Sequence, residues 1–313
     1  MRNAFNIQLN IKKTYRVFIG GILLAACCQQ ATAQNLSSVP ALLQPSATQY
    51  YQNQYLANPA MAGIDSGLHV NAAHRRQWTN IDGAPVNTFI TADGALGKSG
   101  LGLNIFNDKA GLLNRTRVAF TYAYHLPITT SGEQQLHFGL SVAINTQRAS
   151  YHDINGDISD PALSAYNNRS NYFEGEYGMA YTDKHLTLQV ALPNARTLFT
   201  GDDKGVNGGT ILFTGAAYKF TTDGAISSIE PKVCYRAIKG NDGIVDAGVN
   251  VAFLDNLLNL TALYQTSKNF TAGVGVKILK TVGIQALYTT QTGGIKTYAD
   301  GTYELGIRAD LFR

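Results

Sequence analysis

Two groups of residues have the types and spacing for chemistry, and both lead away from catalysis. Asp153, Asn155, Asp157 and Ser159 fall at every second position and Asp160 follows, a run of hard oxygen donors of the kind that coordinates Ca²⁺. Gly156, however, holds the fourth place of that run rather than the sixth, and no Glu closes a twelve-residue loop. The segment therefore reads as a solvated loop, with calcium left as the alternative. The histidines at 69, 74, 125, 137, 152 and 185 lack the spacing of a zinc site, and the chain has neither a G-x-S-x-G elbow nor a Walker loop. His137 and Ser141 share one face of a strand, the inner face by the pattern below, where a lipid substrate would not arrive. No catalytic residue, metal or cofactor is expected, and the chain reads as a non-enzyme.

The remaining charges stand in a pattern that says what must position them. Glu304, Gly306, Arg308 and Asp310 alternate with Tyr303, Leu305, Ile307, Ala309 and Leu311. The same dyad returns about fourteen times, which is the sequence signature of a transmembrane β-barrel with an apolar outer face and a polar lumen. The strands expected are 67–78, 85–96, 99–107, 114–127, 134–148, 171–183, 184–193, 209–222, 226–239, 243–254, 256–266, 269–279, 280–290 and 301–313. The alternation is poorest in 209–222. Arg117, Glu174, Glu176, Lys232, Arg236 and Asp246 fall on the lumen side with Cys234 among them. Joints after even-numbered strands are short. The longer ones, 79–84, 108–113, 149–170, 194–208 and 291–300, all follow odd-numbered strands. Short periplasmic turns alternating with longer extracellular loops are the habit of even-stranded barrels, and they put both termini in the periplasm.

Composition agrees. Arg2, Lys12, Lys13 and Arg16, an apolar stretch from Val17 to Ala26 and the small-residue site Ala31-Thr32-Ala33 read as a cleaved signal peptide over 1–33. Leu24-Ala25-Ala26-Cys27 resembles a lipobox and stands as the alternative. Loss of these four of the 25 basic residues leaves 21 against 21 acidic ones, so the sequence pI carries no argument for nucleic acid. One cysteine, Cys234, remains beyond the leader, too few for a disulfide framework. No later segment has the roughly 18 apolar residues of a membrane helix, and tyrosine outnumbers tryptophan 17 to 1, as interfacial girdles require. The expected organisation is a 34–66 plug or periplasmic segment followed by a 67–313 barrel.

Several residues stand out within this frame. Asn58-Pro59-Ala60 with Gly63 reads as a rigid bend, since proline bars a helical Asn58 and glycine permits a tight turn; a plug hinge is the other reading. Arg76 and Trp78 share the parity of Leu68, Val70 and Ala72, which makes Trp78 an interfacial anchor at the extracellular rim and Arg76 a neighbour of lipid headgroups. A bulge would instead turn Arg76 inward. Asn107, Asp108 and Gly111 read as loop chemistry. Tyr151, Tyr166 and Phe199, in the long loops, are amphipathic aromatics of the kind that anchor protein partners.

Taken in order, several phrases go beyond a generic barrel: Gln49-Tyr50-Tyr51-Gln52-Asn53-Gln54-Tyr55, Asn58-Pro59-Ala60-Met61-Ala62-Gly63, Arg76-Gln77-Trp78, Gly83-Ala84-Pro85, Gly100-Leu101-Gly102-Leu103-Asn104 and Asn107-Asp108 with Gly111. Over about 50–145 the chain resembles the PorP/SprF family of outer-membrane proteins of the Bacteroidetes type IX secretion system. Beyond that stretch the likeness is architectural. The resemblance implies a noncatalytic barrel in the outer membrane that works in protein export, surface attachment or gliding. Its implied partners are membrane lipid and either the translocon or the C-terminal domain of a secreted cargo such as an adhesin. The Asn-Pro-Ala element is also reminiscent of FadL-like barrels, which keeps a FadL-like or porin-like channel for small solutes as the alternative.

Overall fold

The computed structural model describes residues 47–149, 167, 171–196, 210–238, 243–279, 281–290 and 300–312. Fifteen antiparallel strand segments form one closed sheet. They are β1 (Leu68–Arg76), β2 (Val86–Leu96), β3 (Ser99–Ala110), β4 (Leu113–Pro127), β5 (Gln135–Ala149), β6 (Tyr172–Thr182), β7 (Leu186–Leu192), β8 (Thr210–Tyr218), β9 (Phe220–Thr221), β10 (Ile226–Ile238), β11 (Ile244–Phe253), β12 (Leu258–Gln265), β13 (Asn269–Leu279), β14 (Val282–Thr289) and β15 (Thr302–Leu311). β8 and β9 are one strand broken at Lys219, so the wall has fourteen strands, as the dyads require. Closure comes from β15 pairing with β1 along its length, from Leu68↔Leu311 to Arg76↔Tyr303. A closed wall leaves no backbone edge to face lipid. Among the described residues no helix is long and apolar enough to cross a membrane; the strands cross instead.

Alternation along each strand sets the two faces. Phe120, Tyr122, Leu140 and Val142 point out and are half or more exposed, while Ala119, Thr121, Ala123, Ser141 and Ala143 between them are buried. The interior is therefore filled.

Two departures from the expected strands have local causes. β8 breaks where Pro231 faces it: proline carries no N–H for the ladder, and the Lys219 amide turns to the carbonyl of His185 at 2.7 Å. The break falls within the stretch of poor alternation, 209–222. The connection expected at 108–113 shrinks to Gly111 and Leu112, with Gly111 at φ +56°. Asn107 and Asp108 consequently lie in β3. The strand ends that flank the longest connections, at 76 and 86, 149 and 172, 192 and 210, and 289 and 302, lie at one end of the barrel. At the other end the turn 183–185 is closed by Asp183, whose Oδ1 accepts the amides of Leu186 and His185 at 2.7 Å each. Those amides hold its carboxyl below the usual carboxylate range.

Candidate functional site

The lumen is occupied by the chain that precedes β1. Thr48 donates to Glu304 at 2.7 Å, and Lys232 donates to the Tyr50 carbonyl at 2.9 Å. The Tyr50 ring meets Phe213 edge-on with 5.3 Å between centroids, over Ala57, Ala191 and Cys234. Asn53 donates to Thr91 at 2.6 Å, and the Tyr55 hydroxyl joins Thr121, which in turn joins Ser141. Asn58 then terminates the descent. It is extended, as a residue before proline must be, and caps a single 3₁₀ turn over Pro59–Met61 by accepting the Ala60 amide at 2.9 Å. Its side-chain amide donates to the Met179 carbonyl at 3.0 Å. Asn58, Ala60 and Ala62 are fully buried.

A trough of missing side chains in the wall receives this turn. A Cβ at Gly139 would stand 2.2 Å from the Ala60 nitrogen, one at Gly178 2.0 Å from Asn58 Oδ1, and one at Gly100 1.9 Å from the Ala62 oxygen. No side chain fits at any of the three. These glycines sit at inward positions of β5, β6 and β3, flanked by the buried alanines of β4 and β5. At the end of the turn Gly63 takes φ +68° and gives its amide to Asp93 Oδ2 at 2.9 Å. The Ala62 carbonyl meets His125 Nε2 at 3.1 Å, His125 Nδ1 meets His137 Nδ1 at 2.8 Å, and His137 Nε2 meets the Thr182 hydroxyl at 2.8 Å. The carbonyl can only accept, so His125 carries a proton on Nε2, and of the two facing Nδ1 atoms one accepts from the other. Both rings are then engaged at both nitrogens.

Several lumen charges occur as ion pairs. Arg236 meets Asp246 at 2.9 and 3.2 Å, and Gln265 donates to the same carboxylate at 2.8 Å. Arg117 pairs with Glu176, and Lys232 lies 3.7 Å from Glu230 and 4.6 Å above the Tyr51 ring. Asp310 accepts from Arg308 at 2.7 Å and lies 2.7 Å from His69, while Arg308 also donates to the Gln52 carbonyl at 2.7 Å. Burying an ion alone costs several kcal/mol, and Lys232 and Arg308 also bond the plug, at the Tyr50 and Gln52 carbonyls. Beside Arg308, a polar cavity of about 150 Å³ lies between the plug and the wall, lined by Gln52, Asp65, His69, Asn71 and Asp93 among others.

The residues singled out in the sequence separate into three groups. Asn58, Pro59 and Gly63 meet in the trough. Gly83, Pro85 and Gly111 meet at the rim, where Gly111 donates to the Gly83 carbonyl at 2.7 Å and Gln77 to that of Pro85 at 2.9 Å. Arg76 ends β1 and is exposed; Trp78 lies beyond the strand, half-buried at φ +48°, so strand parity does not reach it. Asn107 is a ladder residue bonded to Asn114 at 2.7 Å and Thr116 at 2.9 Å, and Asp108 is buried and accepts from Asn87 at 2.6 Å. These two bind across strands rather than shaping a loop. Tyr151, Tyr166, Phe199 and the acidic run 153–160 lie outside the described residues. His137 and Ser141 are each bonded elsewhere, to the histidine chain and to Thr121. Gly100, Gly139 and Gly178 were not singled out as a group, though a signal existed: glycine at inward parity on β3, β5 and β6.

A barrel of fourteen strands with an interior filled by its own N-terminal segment is an outer-membrane architecture. The family model for the type IX secretion system membrane protein PorP/SprF matches residues 40–309. The chain belongs to that family and is an outer-membrane component of type IX secretion. A search of curated protein sequences finds no match. Among solved structures, the chain is similar to the Acinetobacter baumannii outer membrane protein Omp33 (10% identity, 80% of this chain and 100% of that one, TM-score 0.48). It is also similar to the monoaromatic hydrocarbon channel CymD (11% identity, 85% and 93%, TM-score 0.48) and to a mutant Rh. blastica porin (11%, 78% and 99%, TM-score 0.38).

Proposed function

We propose that this barrel is a noncatalytic protein-binding component of the type IX system. In this reading it holds a translocon subunit or the C-terminal domain of a secreted cargo, such as a gliding adhesin, for export or surface attachment. The observation that carries the reading is the seating of residues 48–63: the plug backbone lies where wall side chains would otherwise be, and both sides are locked by buried hydrogen bonds. A solute channel of the FadL or porin kind needs a pocket of about 300–1,000 Å³ or a continuous water path, whereas the cavity beside Arg308 has about 150 Å³. Partner contacts then fall to the long connections, with Tyr151, Tyr166 and Phe199 as the anchoring aromatics. The orientation that goes with this places the long connections outside the cell and the end of β15 with the short turns in the periplasm. Residues 1–33 serve as the leader that brings the chain there.

The test is to replace 150–170 by a tight turn. The barrel is expected to fold, since loop length costs little, and surface display of the cargo is expected to be lost. Normal display by the trimmed protein, together with steady solute conductance of the native one in planar bilayers, would transfer the case to the channel.

A further inference from the structure

The cavity beside Arg308 is lined by acceptors whose donors are missing, and that imbalance has a chemical meaning. The plug passes the cavity twice, at 51–55 on the way to the trough and again at Met61, Ile64 and Asp65. His69, Asn71, Asp93 and Arg308, from β1, β2 and β15, close the wall side. The donors there are already spent. Arg308 gives Nε to Asp310 and Nη1 to the Gln52 carbonyl, and its Nη2 lies 3.6 Å from Asp65. Asn71 gives Nδ2 to Thr91 at 3.4 Å. His69 Nδ1 lies 2.7 Å from the Asp310 carboxylate, which only accepts, so the ring hydrogen sits on Nδ1 and Nε2 keeps a lone pair. That Nε2, Asn71 Oδ1 and Gln52 Oε1 are buried without a hydrogen-bond partner among the described residues, and the Tyr51 hydroxyl, able to serve either way, is a fourth. Asp93 accepts the Gly63 amide on Oδ2, and no donor among the described residues reaches its Oδ1. His69, Asn71 and Asp93 are only 2%, 8% and 7% exposed, so bulk water does not make up the shortfall.

We propose that this cavity binds a short alkylammonium group, carried by a free amine or by a lysine side chain. A buried acceptor left unpaired is costly, and an ammonium brings three N–H donors to a place that lacks them. Charge selects a cation over a neutral donor. Asp65, Asp93 and Asp310 outnumber Arg308, and with His69 neutral the surroundings are net negative, which also turns anions away. Size sets the rest. A cavity of about 150 Å³ takes a molecule of about six non-hydrogen atoms, the size of benzene. That is room for an ammonium on a four-carbon tail, and Met61 and Ile64 offer the tail apolar contact. Asp65 marks the entrance, since it lines the cavity while its side chain is more than half exposed. A ligand seated here touches both passes of the plug and the wall beside them, so its binding ties the plug to β1, β2 and β15. The site stands whichever mouth of the barrel faces the cell exterior.

The test is the thermal midpoint of the full-length protein in detergent, titrated with butylammonium chloride at constant pH and ionic strength. A ligand that binds only the folded state raises the midpoint with its concentration. Butylammonium is expected to give a saturable rise. Butanol, which has the tail without the charge, and tetramethylammonium, which has the charge without N–H donors, are expected to need at least tenfold higher concentrations for the same shift. Asp93→Asn keeps an acceptor for the Gly63 amide and removes the buried charge, so it is expected to raise the half-saturating concentration of butylammonium at least tenfold. Should that variant fail to fold, Asp65→Asn at the exposed entrance is expected to raise it at least threefold. A butylammonium response no larger than that of butanol or of tetramethylammonium means that the cavity holds water only and overturns the proposal. So does an unchanged response in the substituted protein that folds. Nα-acetyl-lysine amide identifies the source: a shift matching that of butylammonium supports a lysine side chain as the occupant, and a response to butylammonium alone supports a free amine.

Discussion

Gly139→Ala puts the seating of the plug to a quantitative test. The added Cβ would stand 2.2 Å from the Ala60 nitrogen, 2.3 Å from the Pro59 carbonyl carbon and 2.5 Å from its oxygen. Carbon contacts relax at about 3.5–4.0 Å, so the plug or β5 must retreat by roughly 1 Å or more. All three neighbours are backbone and cannot rotate away. Overpacking of this kind costs about 1–3 kcal/mol, and the upper part of that range is expected because the Asn58 cap and its bond to the Met179 carbonyl move with the turn. Gly175→Ala is the control: it sits on β6 on the outward face, and a Cβ there meets nothing within 4 Å. Denaturant unfolding of the refolded barrel in detergent reads both variants from the shift in midpoint at constant slope. Gly139→Ala is expected to fall well below wild type and Gly175→Ala to match it. Equal midpoints for the two variants would mean that the turn over 59–61 does not rest on β5.

Other perturbations reach other parts of the same arrangement. Asp246→Asn strands a buried Arg236 and is expected to cost about 3–5 kcal/mol in the same assay, while replacing both partners by apolar residues of similar size is expected to cost far less. Cys234 lies beneath Tyr50 and Phe213, so the folded protein should resist maleimide in detergent, and Tyr50→Ala should open the thiol to modification without unfolding the wall. Asp183 binds two amides as a carboxylate and its folded-state pKa is depressed, so its contribution is present above the unfolded value near ~3.9 and is lost as pH falls through the folded one. Thermal melts should accordingly show a smaller acid-induced drop for Asp183→Asn than for wild type.

The wall was legible in the sequence because a barrel strand repeats one simple constraint. Each residue meets lipid or lumen by parity alone, and runs such as Phe120 to Leu126 or Phe270 to Ile278 state that constraint without interference. It failed where a residue's neighbour in space decides the outcome. Nothing local says that Pro231 will break the facing strand at Lys219, and nothing in Asn107-Asp108 says that these side chains reach Thr116 and Asn87 rather than a turn. The parity that would make Trp78 an outward anchor stops with its strand at Arg76. The plug lay between these cases. The bend at Asn58-Pro59 follows from proline sterics, but its seat is assembled from glycines on β3, β5 and β6, far apart in sequence, whose common purpose appears only when the lumen closes around them.

A filled lumen also changes what the two faces of a strand mean. In an open barrel, Arg at a lipid-facing position is penalised and Arg at the next, lumen-facing one is tolerated, because only the first meets hydrocarbon. Leu140→Arg obeys that logic: the side chain is outward and exposed, and a charge there costs about 2–4 kcal/mol if it lies near the midplane. Ser141→Arg does not gain the expected relief. Ser141 is buried, its hydroxyl bonds Thr121, and Thr121 holds the Tyr55 hydroxyl of the plug. A guanidinium at that position would displace the plug and compete with Arg117 for Glu176, the register partner of Ser141 on β6. The two substitutions should therefore both destabilise, one through lipid and one through packing. Lengthening the lipid tails separates them, since a thicker hydrocarbon core leaves the Leu140→Arg charge farther from the headgroups and leaves the interior unchanged. A response of the Ser141→Arg protein to bilayer thickness equal to that of the Leu140→Arg protein would be incompatible with a lumen filled by residues 48–63.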